Sequence, residues 1–406
     1  MHFRHAHAAH PDWSIAVEEC LLLLAQQTGE GFVRGANLGF LYLTDGLQAH
    51  ADAILATLKA RTGVASWVGC TGVGVCAPGV EYTDEPALSV MLGRFAPGSF
   101  NVFSGTQRPP ALGTRTSGGE DAAFTALVHS DPNTPGLPDL IIDMARKVAS
   151  GYLFGGLASS RHGAQAIADR VLAGGISGVV FGADVNLVSR VSQGCHPLPG
   201  ANLHTVTRCR DNLIVALDGR RAFEVLLEDA GIRERVAISE GRGISTETRE
   251  SLQSLGRQGL FVGFEPVRGD AYRERMPRGD YSVRHVLALD PGNGVVAVAA
   301  PLEDGQQIRF CTRDETAARK DLVRICAEIR DFLHERSEAA GAPVSPKGAV
   351  YVSCLGRGSH MFGEQHEEMR LIERQFGGLP LTGFYASGEI GGQTLYGFTG
   401  VLTVFF

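Results

Sequence analysis

The sequence has no excess of positive charge. Its 37 lysines and arginines are outnumbered by 44 aspartates and glutamates, so the formal net charge is −7 at pH 7. Proteins that bind nucleic acids neutralise backbone phosphates with clustered lysine and arginine. This balance therefore argues against a nucleic-acid partner.

Long apolar runs are missing too. No stretch approaches the roughly 18 apolar residues that indicate a membrane-spanning helix. The longest early apolar run, Cys20–Ala25, follows Asp12, Glu18 and Glu19. A signal peptide carries positive residues before its apolar segment, so these charges have the wrong sign. We predict a cytoplasmic protein without a membrane partner.

The eight cysteines form no C-x-x-C pair. Their scatter argues against a zinc cage and against a disulfide framework, so no metal site is predicted. Reduced cysteines acting as small core residues are the simplest interpretation. They are Cys20, Cys70, Cys76, Cys195, Cys209, Cys311, Cys326 and Cys354.

Familiar catalytic motifs are also lacking. The sequence has no Walker loop, no nucleophile elbow and no H-E-x-x-H. Gly72-Val-Gly74 lacks the third glycine of a dinucleotide-binding turn at the required spacing. We therefore predict a protein that is not an enzyme.

Glycine, in contrast, is abundant: 52 of the 406 residues, roughly double average usage. The length predicts two domains, and strands and helices mix without strict alternation. We predict an α/β (α+β) fold with mixed, largely antiparallel sheets flanked by helices, possibly pseudo-duplicated. The expected divisions are an N-terminal extension and helix at 1–30, a first domain at 31–220 and a second at 221–406.

The N-terminus carries an unusual group of histidines. Met1–Pro11 contains His2, His5, His7 and His10. A frayed terminus is the expected structure, with a metal-binding tract as the alternative.

Elsewhere, apolar periodicity and turn residues predict individual elements. Ala87–Phe95 and Phe100–Ser104 predict an antiparallel pair joined by the turn Ala96–Ser99. Gln165–Leu172 predicts a helix. The DPGNG segment at 290–294 predicts a hairpin turn between two strands.

Three glycine-rich segments recur at the ends of apolar strands. GCTGVG at 69–74 and GFYASG at 383–388 have glycines five apart, and GGLASS at 155–160 is a looser third case. Glycine lets backbone amides approach a ligand closely. The segments therefore indicate either turns that meet across a shared cleft or simple tight turns.

An ordered series of motifs resembles a known domain pair. The last 125 or so residues are similar to the FIST C-terminal domain, and the first half to the FIST N-terminal domain. The C-terminal motifs are YSVR at 281–284 with Asp290, Arg313-Asp314, SCLGRG at 353–358, MFG at 361–363, GFYASGEI at 383–390 and GFT at 397–399. The N-terminal motifs are GCTGVG, GGLASS, VSQGCHPL at 191–198 and NLIVALDGRRAFE at 212–224.

The resemblance implies an intracellular, bacterial sensor protein in signal transduction. FIST domains are suggested to bind small ligands, such as an amino acid or an organic acid. No kinase, methyl-acceptor or F-box segment accompanies the pair, so output is expected to pass to a separate signalling protein.

The predicted ligand site combines the glycine turns with polar residues beside them. Arg357 could clamp a carboxylate, or it could form an internal ion pair with Glu389. Glu389 could instead bind an ammonium group or cap backbone amides, and Arg284 could pair with Asp290. The full predicted set is Arg357, Glu389, Cys354, Gly388, Cys70, Gly72, Ser159 and Arg284.

Two other functions remain open from the sequence. Some bacterial relatives resemble haem-binding nitric oxide sensors, and a haem would need one of the internal histidines His196, His204 or His285. A cysteine-dependent enzyme would need a histidine beside Cys354 or Cys70 to activate the thiol.

Overall fold

The computed structural model describes residues 1–27, 35–105, 123–232, 244–264 and 282–406. The expected boundary at 30/31 and Tyr281 of the YSVR motif lie outside these ranges. The chain forms two compact units. Residues 1–192 and 319–406 make up the larger unit, and residues 193–318 make up the smaller one.

The strands and helices follow each other in chain order. The strands are β1 (His2–Ala9), β2 (Leu38–Thr44), β3 (Ser66–Gly72), β4 (Gly74–Ala77), β5 (Val80–Thr83), β6 (Ala87–Arg94), β7 (Phe100–Gly105), β8 (Ala123–Ser130), β9 (Tyr152–Leu157), β10 (Gln165–Ala168), β11 (Val171–Ala173), β12 (Ile176–Gly182), β13 (Leu187–Ser192), β14 (Cys195–Pro197), β15 (His204–Arg210), β16 (Leu213–Leu217), β17 (Arg220–Arg221), β18 (Leu260–Phe264), β19 (Ser282–Asp290), β20 (Val295–Val298), β21 (Gln307–Arg313), β22 (Gly348–Cys354), β23 (Leu381–Ala386), β24 (Glu389–Gly392), β25 (Thr394–Tyr396) and β26 (Gly400–Phe405). The helices are α1 (Trp13–Gln26), α2 (Ala51–Thr62), α3 (Leu137–Ala145), α4 (Ala222–Asp229), α5 (Thr246–Gln258), α6 (Glu315–Ala340), α7 (Ser359–Phe362) and α8 (Glu367–Phe376), and a 3-10 helix spans Asp45–His50.

The larger unit contains three six-stranded sheets that repeat one arrangement. Their strand orders are β1-β6-β2-β3-β10-β11, β7-β12-β8-β9-β24-β25 and β13-β26-β22-β23-β4-β5. Each has a central parallel pair, namely β2 and β3, β8 and β9, or β22 and β23, joined through helix. An antiparallel strand flanks the first member of each pair, and a hairpin flanks the second. The unit is therefore a threefold internal repeat, whereas the sequence predicts at most a duplication.

Each hairpin belongs to a different sheet from the strand that it follows. The β4–β5 hairpin follows β3 but pairs with β23. The β10–β11 hairpin follows β9 but pairs with β3, and the β24–β25 hairpin follows β23 but pairs with β9. The three repeats are thus interlocked by the course of the chain.

Glycine occupies the same place in the second strand of each parallel pair. A side chain there would collide with a backbone oxygen of the first strand, because its Cβ would lie 1.8 Å from Leu41 at Gly69, 2.0 Å from Val128 at Gly155 and 1.7 Å from Tyr351 at Gly383. These three glycines therefore allow the parallel strands to approach closely.

Two layers of apolar side chains surround the sheets of the larger unit. An inner cluster joins all three sheets through buried aromatic residues such as Phe40, Phe154 and Phe384. Outside, α1 and α2 cover the sheet that contains β2, and α3 covers the sheet that contains β8. Burying each large apolar side chain contributes about 1.5–3 kcal/mol, so this core fixes the sheets that hold the site.

The smaller unit is built on antiparallel strands. Six of its strands lie side by side in the order β18, β21, β15, β16, β20 and β19, each paired with the next. Because β19 also pairs with β18, these six strands close into a ring. The predicted hairpin at 290–294 is confirmed, because β19 and β20 pair directly across it. Helices α4 and α5 also lie in this unit.

The N-terminal segment differs from the expected frayed end. His2–Ala9 forms β1, which pairs along its whole length with β6. Ala6 and Ala8 face the inner side of α1, and the side chain of Gln27 bonds the backbone of His5. The prediction of a frayed end was wrong because it gave more weight to the polar composition than to the alternation of alanine with larger residues. That alternation is typical of a strand.

Two further local predictions were wrong. Ala87–Phe95 and Phe100–Ser104 do not pair, because β6 and β7 belong to different sheets. Gln165–Leu172 is not a helix but the β10–β11 hairpin, whose turn places Asp169 at φ +59°. Aspartate tolerates this left-handed conformation better than most residues do.

The predicted fold class is confirmed: mixed sheets flanked by helices form an α/β protein of two units. Within the described ranges, no helix combines the length and apolar character that crossing a bilayer requires.

Candidate functional site

The three glycine-rich turns meet in the larger unit. The Ser159 hydroxyl donates to the backbone oxygen of Tyr385 and accepts a hydrogen bond from the Val73 amide at 3.0 Å. The Leu157 amide donates to the Gly388 oxygen at 2.8 Å. A Cβ on Gly72 would lie 3.1 Å from the Ser159 hydroxyl. The turns after β3, β9 and β23 are therefore in direct contact, as the first of the two sequence interpretations requires.

A cavity of about 790 Å³ opens beside this meeting point. Ser159 and Tyr385 line it from the turns, and Glu81 lines it from β5. Its other walls come from the connection between β22 and α8, which includes Arg357 and His366. Most of the lining residues are polar or charged, and the volume suits a small ligand.

Arg357 is bound within a buried hydrogen-bond network. Its Nε donates to Glu368 at 2.7 Å, and both side chains are fully buried. Its Nη1 donates to the backbone oxygen of Ser192 at 3.3 Å, and its guanidinium lies over the Phe362 ring. Tyr351 lies within 3.5 Å of its Nη2. Arg357 thus serves as the counter-ion of Glu368 at the cavity wall.

Glu368 is saturated with donors. Besides Arg357, it accepts hydrogen bonds from the Tyr351 hydroxyl at 2.6 Å, from the Ser353 hydroxyl at 3.1 Å and from the Gly358 amide at 3.2 Å. Charge-assisted bonds of this kind are among the strongest in proteins. The network fixes the connection that forms one side of the cavity.

Glu81 has a much poorer set of partners. Its carboxylate accepts from the Met369 amide at 3.2 Å, and its own amide donates to Nδ1 of His366 at 3.1 Å. No ion pair to Glu81 occurs among the described residues. Burial, and then the neighbouring Glu368 carboxylate, raises the pKa of Glu81 to about 7. Glu81 is therefore poised to change charge near neutral pH.

The Tyr385 hydroxyl is buried beside Glu81 at the cavity wall. Tyr385 is 3% exposed, and its hydroxyl lies within hydrogen-bonding reach of the Glu81 carboxyl group. Among the described residues no other group bonds this hydroxyl. Burial, followed by the negative groups around it, raises the pKa of Tyr385 well above its ordinary value. Buried polar groups with so few partners would be better satisfied by a polar ligand in the cavity.

The mouth of the cavity carries exposed charges. Arg161 forms ion pairs with Asp84 and, at 3.5 Å, with Asp45. The Arg161 side chain is 54% exposed, so these pairs are screened by water and contribute little to stability.

Several predicted site residues lie away from the cavity. Cys70 is fully buried in the inner core, and Gly388 contributes a backbone contact between turns. Arg284 lies on β19 in the smaller unit, where its Nη1 donates to the Val283 oxygen at 2.9 Å. Of the predicted set, Ser159 and Arg357 are cavity-lining residues.

Glu389 is buried between Thr399 and Cys354. Its Oε2 accepts from the Thr399 amide at 3.0 Å and from the Thr399 hydroxyl at 2.8 Å. The considered ion pair between Glu389 and Arg357 does not form, because Glu368 takes that place. Burial raises the pKa of Glu389 to about 8, so the neutral acid predominates at pH 7. Asp290, the considered partner of Arg284, accepts hydrogen bonds from Asn293 in its turn.

The cysteines do not have the surroundings of activated thiols. Burial raises the pKa of Cys354 to about 12 and that of Cys70 well above its usual value. The Cys354 thiol accepts a hydrogen bond from the Gly356 amide at 3.5 Å and lies beside the Glu389 carboxyl group, with no histidine among its partners in the described chain. A nucleophilic cysteine needs a lowered pKa, so this geometry gives no support to a cysteine-dependent reaction.

The histidines considered for haem are engaged by other groups. His204 is held by Asp218 at 2.7 Å through Nδ1 and by Asp229 at 3.0 Å through Nε2. His196 contacts Asp314 at 3.1 Å, and the His285 ring packs on Phe261 with centroids 4.5 Å apart. A haem ligand needs a ring nitrogen directed at the iron, so His204 and His196 do not fit this role as they stand. In the described ranges, no group of three or more histidine, cysteine or acidic side chains is arranged to hold a metal.

Sequence reasoning missed Glu81, Glu368 and the side chain of Tyr385. Tyr385 lies inside the noted GFYASG segment, and only its glycines drew attention. Glu81 lies in the short segment Val80–Thr83, which has the composition of an ordinary exposed strand. No local signal distinguishes it, because its burial depends on α8, almost 300 residues later in the chain.

The chain is similar in sequence to mycobacterial proteins. An uncharacterized protein of Mycobacterium tuberculosis (strain ATCC 25618 / H37Rv) is 30% identical over 372 residues, which is 89% of this chain and 89% of that protein. An uncharacterized protein of Mycobacterium bovis is 29% identical over 375 residues, again 89% of each chain.

Two family models match consecutive parts of the chain. The FIST N domain matches residues 37–220, and the FIST C domain matches residues 222–392. The boundary between the two matches, near residue 221, falls inside the smaller unit. Each match therefore contributes strands to both compact units. The chain therefore belongs to the FIST family, whose domains are in general sensor domains of signal transduction.

Proposed function

We propose that this protein is a non-catalytic, cytoplasmic sensor that binds a small polar ligand in the cavity beside the three turns. The ligand class is an amino acid or an organic acid, and the output passes to a separate signalling protein. The membership of the chain in a sensor family supports the general role.

The observation that carries the proposal is a pair of buried polar groups in the cavity wall. Tyr385 and Glu81 both line this space, their hydroxyl and carboxyl groups lie beside each other, and Glu81 has no ion pair among the described residues. Polar groups converging on a preformed hollow are typical of ligand sites. They are costly unless a ligand or water satisfies them.

A thermal-shift screen followed by calorimetry tests the proposal. The probes are the common amino acids and small mono- and dicarboxylic acids. A ligand present at 100 times its Kd stabilises the folded state by about 2.7 kcal/mol, which is readily detected as a rise in Tm. No shift with any probe, and no heat in calorimetry, would contradict a site for this ligand class.

Two variants locate the site. Tyr385→Phe removes only the cavity hydroxyl, and we expect it to weaken binding about tenfold. The matched control is Tyr82→Phe, because the Tyr82 hydroxyl contacts Nδ1 of His7 at 2.6 Å and is not part of the cavity wall. Equal affinities for both variants would place the ligand elsewhere.

A further inference from the structure

The threefold repeat supplies an internal comparison for Glu81. In the β4–β5 hairpin, Cys76 faces Gly383 on one side and Glu81 on the other. The same position as Glu81 holds Val171 in the β10–β11 hairpin. The third hairpin has Leu395 there.

This fold therefore accommodates an apolar side chain at the position of Glu81. Two of the three hairpins fill it with valine or leucine, and the backbone pairing is unchanged. A buried acid at such a position opposes stability, since ionising it in a poorly solvated place is unfavourable. We therefore attribute the presence of an acid at position 81 to ligand binding rather than to packing.

The charges around Glu81 are compatible with one additional cation. Glu368 is neutralised by Arg357 at 2.7 Å, so that pair has no net charge. The other groups facing Glu81 are Tyr385 from β23, His366 from the start of α8 and Cys76 from β4. An ionised Glu81 thus adds a negative charge that no described ion pair balances.

The Tyr385 hydroxyl indicates what kind of cation would fit. Its oxygen is buried within hydrogen-bonding reach of the Glu81 carboxyl group, and no other described group bonds it. A carboxylate and a phenolic oxygen together suit a group with several N–H donors. They are too few oxygens for a divalent metal such as Ca²⁺, which takes about 6–8.

We propose that Glu81 and Tyr385 receive an ammonium group of the ligand, so that the cavity selects amino compounds over purely anionic acids. This inference rests on the proposed function, since it assigns a chemical group to the same cavity. The ammonium would donate to the Glu81 carboxylate and to the Tyr385 oxygen.

Binding of an ammonium group at Glu81 should depend on pH. Because burial raises the pKa of Glu81 to about 7, the free protein holds a proton there in mildly acidic solution. Ammonium binding requires the carboxylate, so affinity should rise from pH 6 to pH 8 and then level off. A proton should be released on binding at pH 6.5, which calorimetry in buffers of different ionisation enthalpy detects.

Matched compounds separate this inference from the proposed function. Each set contains an amino acid, its decarboxylated amine and its deaminated acid. The sets are leucine, 3-methylbutylamine and 4-methylpentanoate; tyrosine, tyramine and 3-(4-hydroxyphenyl)propanoate; and glutamine, 4-aminobutanamide and glutaramate. We expect binding by the amino acid and the amine of at least one set, and at least tenfold weaker binding by the corresponding acid.

Variants of the full chain complete the test. Glu81→Gln should weaken amine binding at pH 8 by about tenfold or more and abolish its pH dependence, and Tyr385→Phe should weaken it without changing the pH profile. The matched control Glu364→Gln alters an exposed acid outside the cavity wall and should leave affinity unchanged. If only the deaminated acids bind, or if Glu81→Gln binds amines as the wild type does, the ammonium assignment is wrong while the cavity remains a ligand site. If no compound in any set binds, both the assignment and the proposed function are contradicted.

Discussion

The hairpin that carries Glu81 differs from its two counterparts in chemistry rather than in backbone. All three hairpins pair with the second strand of a parallel pair. Each lies next to a close-approach glycine, our name for Gly69, Gly155 and Gly383, which let the parallel strands lie close together. Two present half-buried apolar side chains, Val171 and Leu395, at the equivalent position, whereas the β4–β5 hairpin presents an acid to a cavity. Within one molecule, this difference separates what the fold requires from what the site requires.

The paired acid beside the cavity should matter most for stability. Glu368→Gln would leave Arg357 buried without a counter-ion, and we expect it to lower the free energy of unfolding by about 3–5 kcal/mol. Denaturant titration with a fluorescence readout measures this loss. Glu81→Gln is the matched comparison, and a loss of similar size would mean that the two acids are equally structural.

The close-approach glycines should behave alike in all three repeats. Gly69→Ala, Gly155→Ala and Gly383→Ala each place a Cβ within 2.0 Å of a backbone oxygen, and we expect each to cost about 3 kcal/mol. Gly397→Ala is the control, because no atom lies within 4 Å of its added Cβ. Thermal unfolding of the four variants would show whether the repeat is equivalent in energy as well as in topology.

Replacing Glu81 with the leucine found in the third hairpin should alter the pH dependence of stability. The pKa of Glu81 is raised from an ordinary value near 4.5 to about 7, so the native state binds the proton more tightly. Wild-type stability should therefore fall by about 2–3 kcal/mol from this group as pH rises from 4.5 to 7, and the small remaining contribution should be lost by about pH 8.

Glu81→Leu should lack this contribution and be more stable than the wild type at pH 8. At each pH the free energy of unfolding of the wild type is subtracted from that of the variant. This subtraction removes the contribution of Glu389, which titrates in the same direction in both proteins. Parallel curves for wild type and variant would show that Glu81 is not the titrating group.

The exposed charges at the cavity mouth should have the smallest effect on stability. Arg161→Ala removes ion pairs to Asp84 and Asp45, and we expect a change of less than about 1 kcal/mol. A small stability change together with faster ligand association or release would assign the mouth a role in access. A loss comparable to that of Glu368→Gln would contradict the distinction between wall and mouth.

The sequence predicted the fold class, most strands and the meeting of the glycine turns. These depend on local signals: apolar runs, turn residues and glycine where backbones approach. It failed where neighbours far along the chain decide the outcome. The segment Gln165–Leu172 has helix-forming residues, yet it is a hairpin because β3 supplies a partner strand.

The candidate site shows the same limit. Ser159 and Arg357, two residues of the predicted set, lie in the cavity wall, since both follow strands in glycine-rich turns. Cys70 was also predicted, but its side chain points into the inner core. The burial of Glu81 could not be inferred, because α8 from the other end of the chain covers it. Glu368 is bonded by nearby residues from Tyr351 to Gly358, but this contact depends on how β22 and α8 pack together, which no local pattern shows.

The exchange of hairpins between sheets also constrains how the protein is made. The sheet containing β22 needs β4 and β5 from the first hundred residues and β26 from the last seven. On the ribosome, the β4–β5 hairpin must therefore wait for β23, the strand that pairs with β4, until almost the whole polypeptide has emerged. Such delayed, non-local pairing is slow and leaves strand edges open to aggregation, so chaperone dependence during synthesis is an expected consequence of the interlocked repeat.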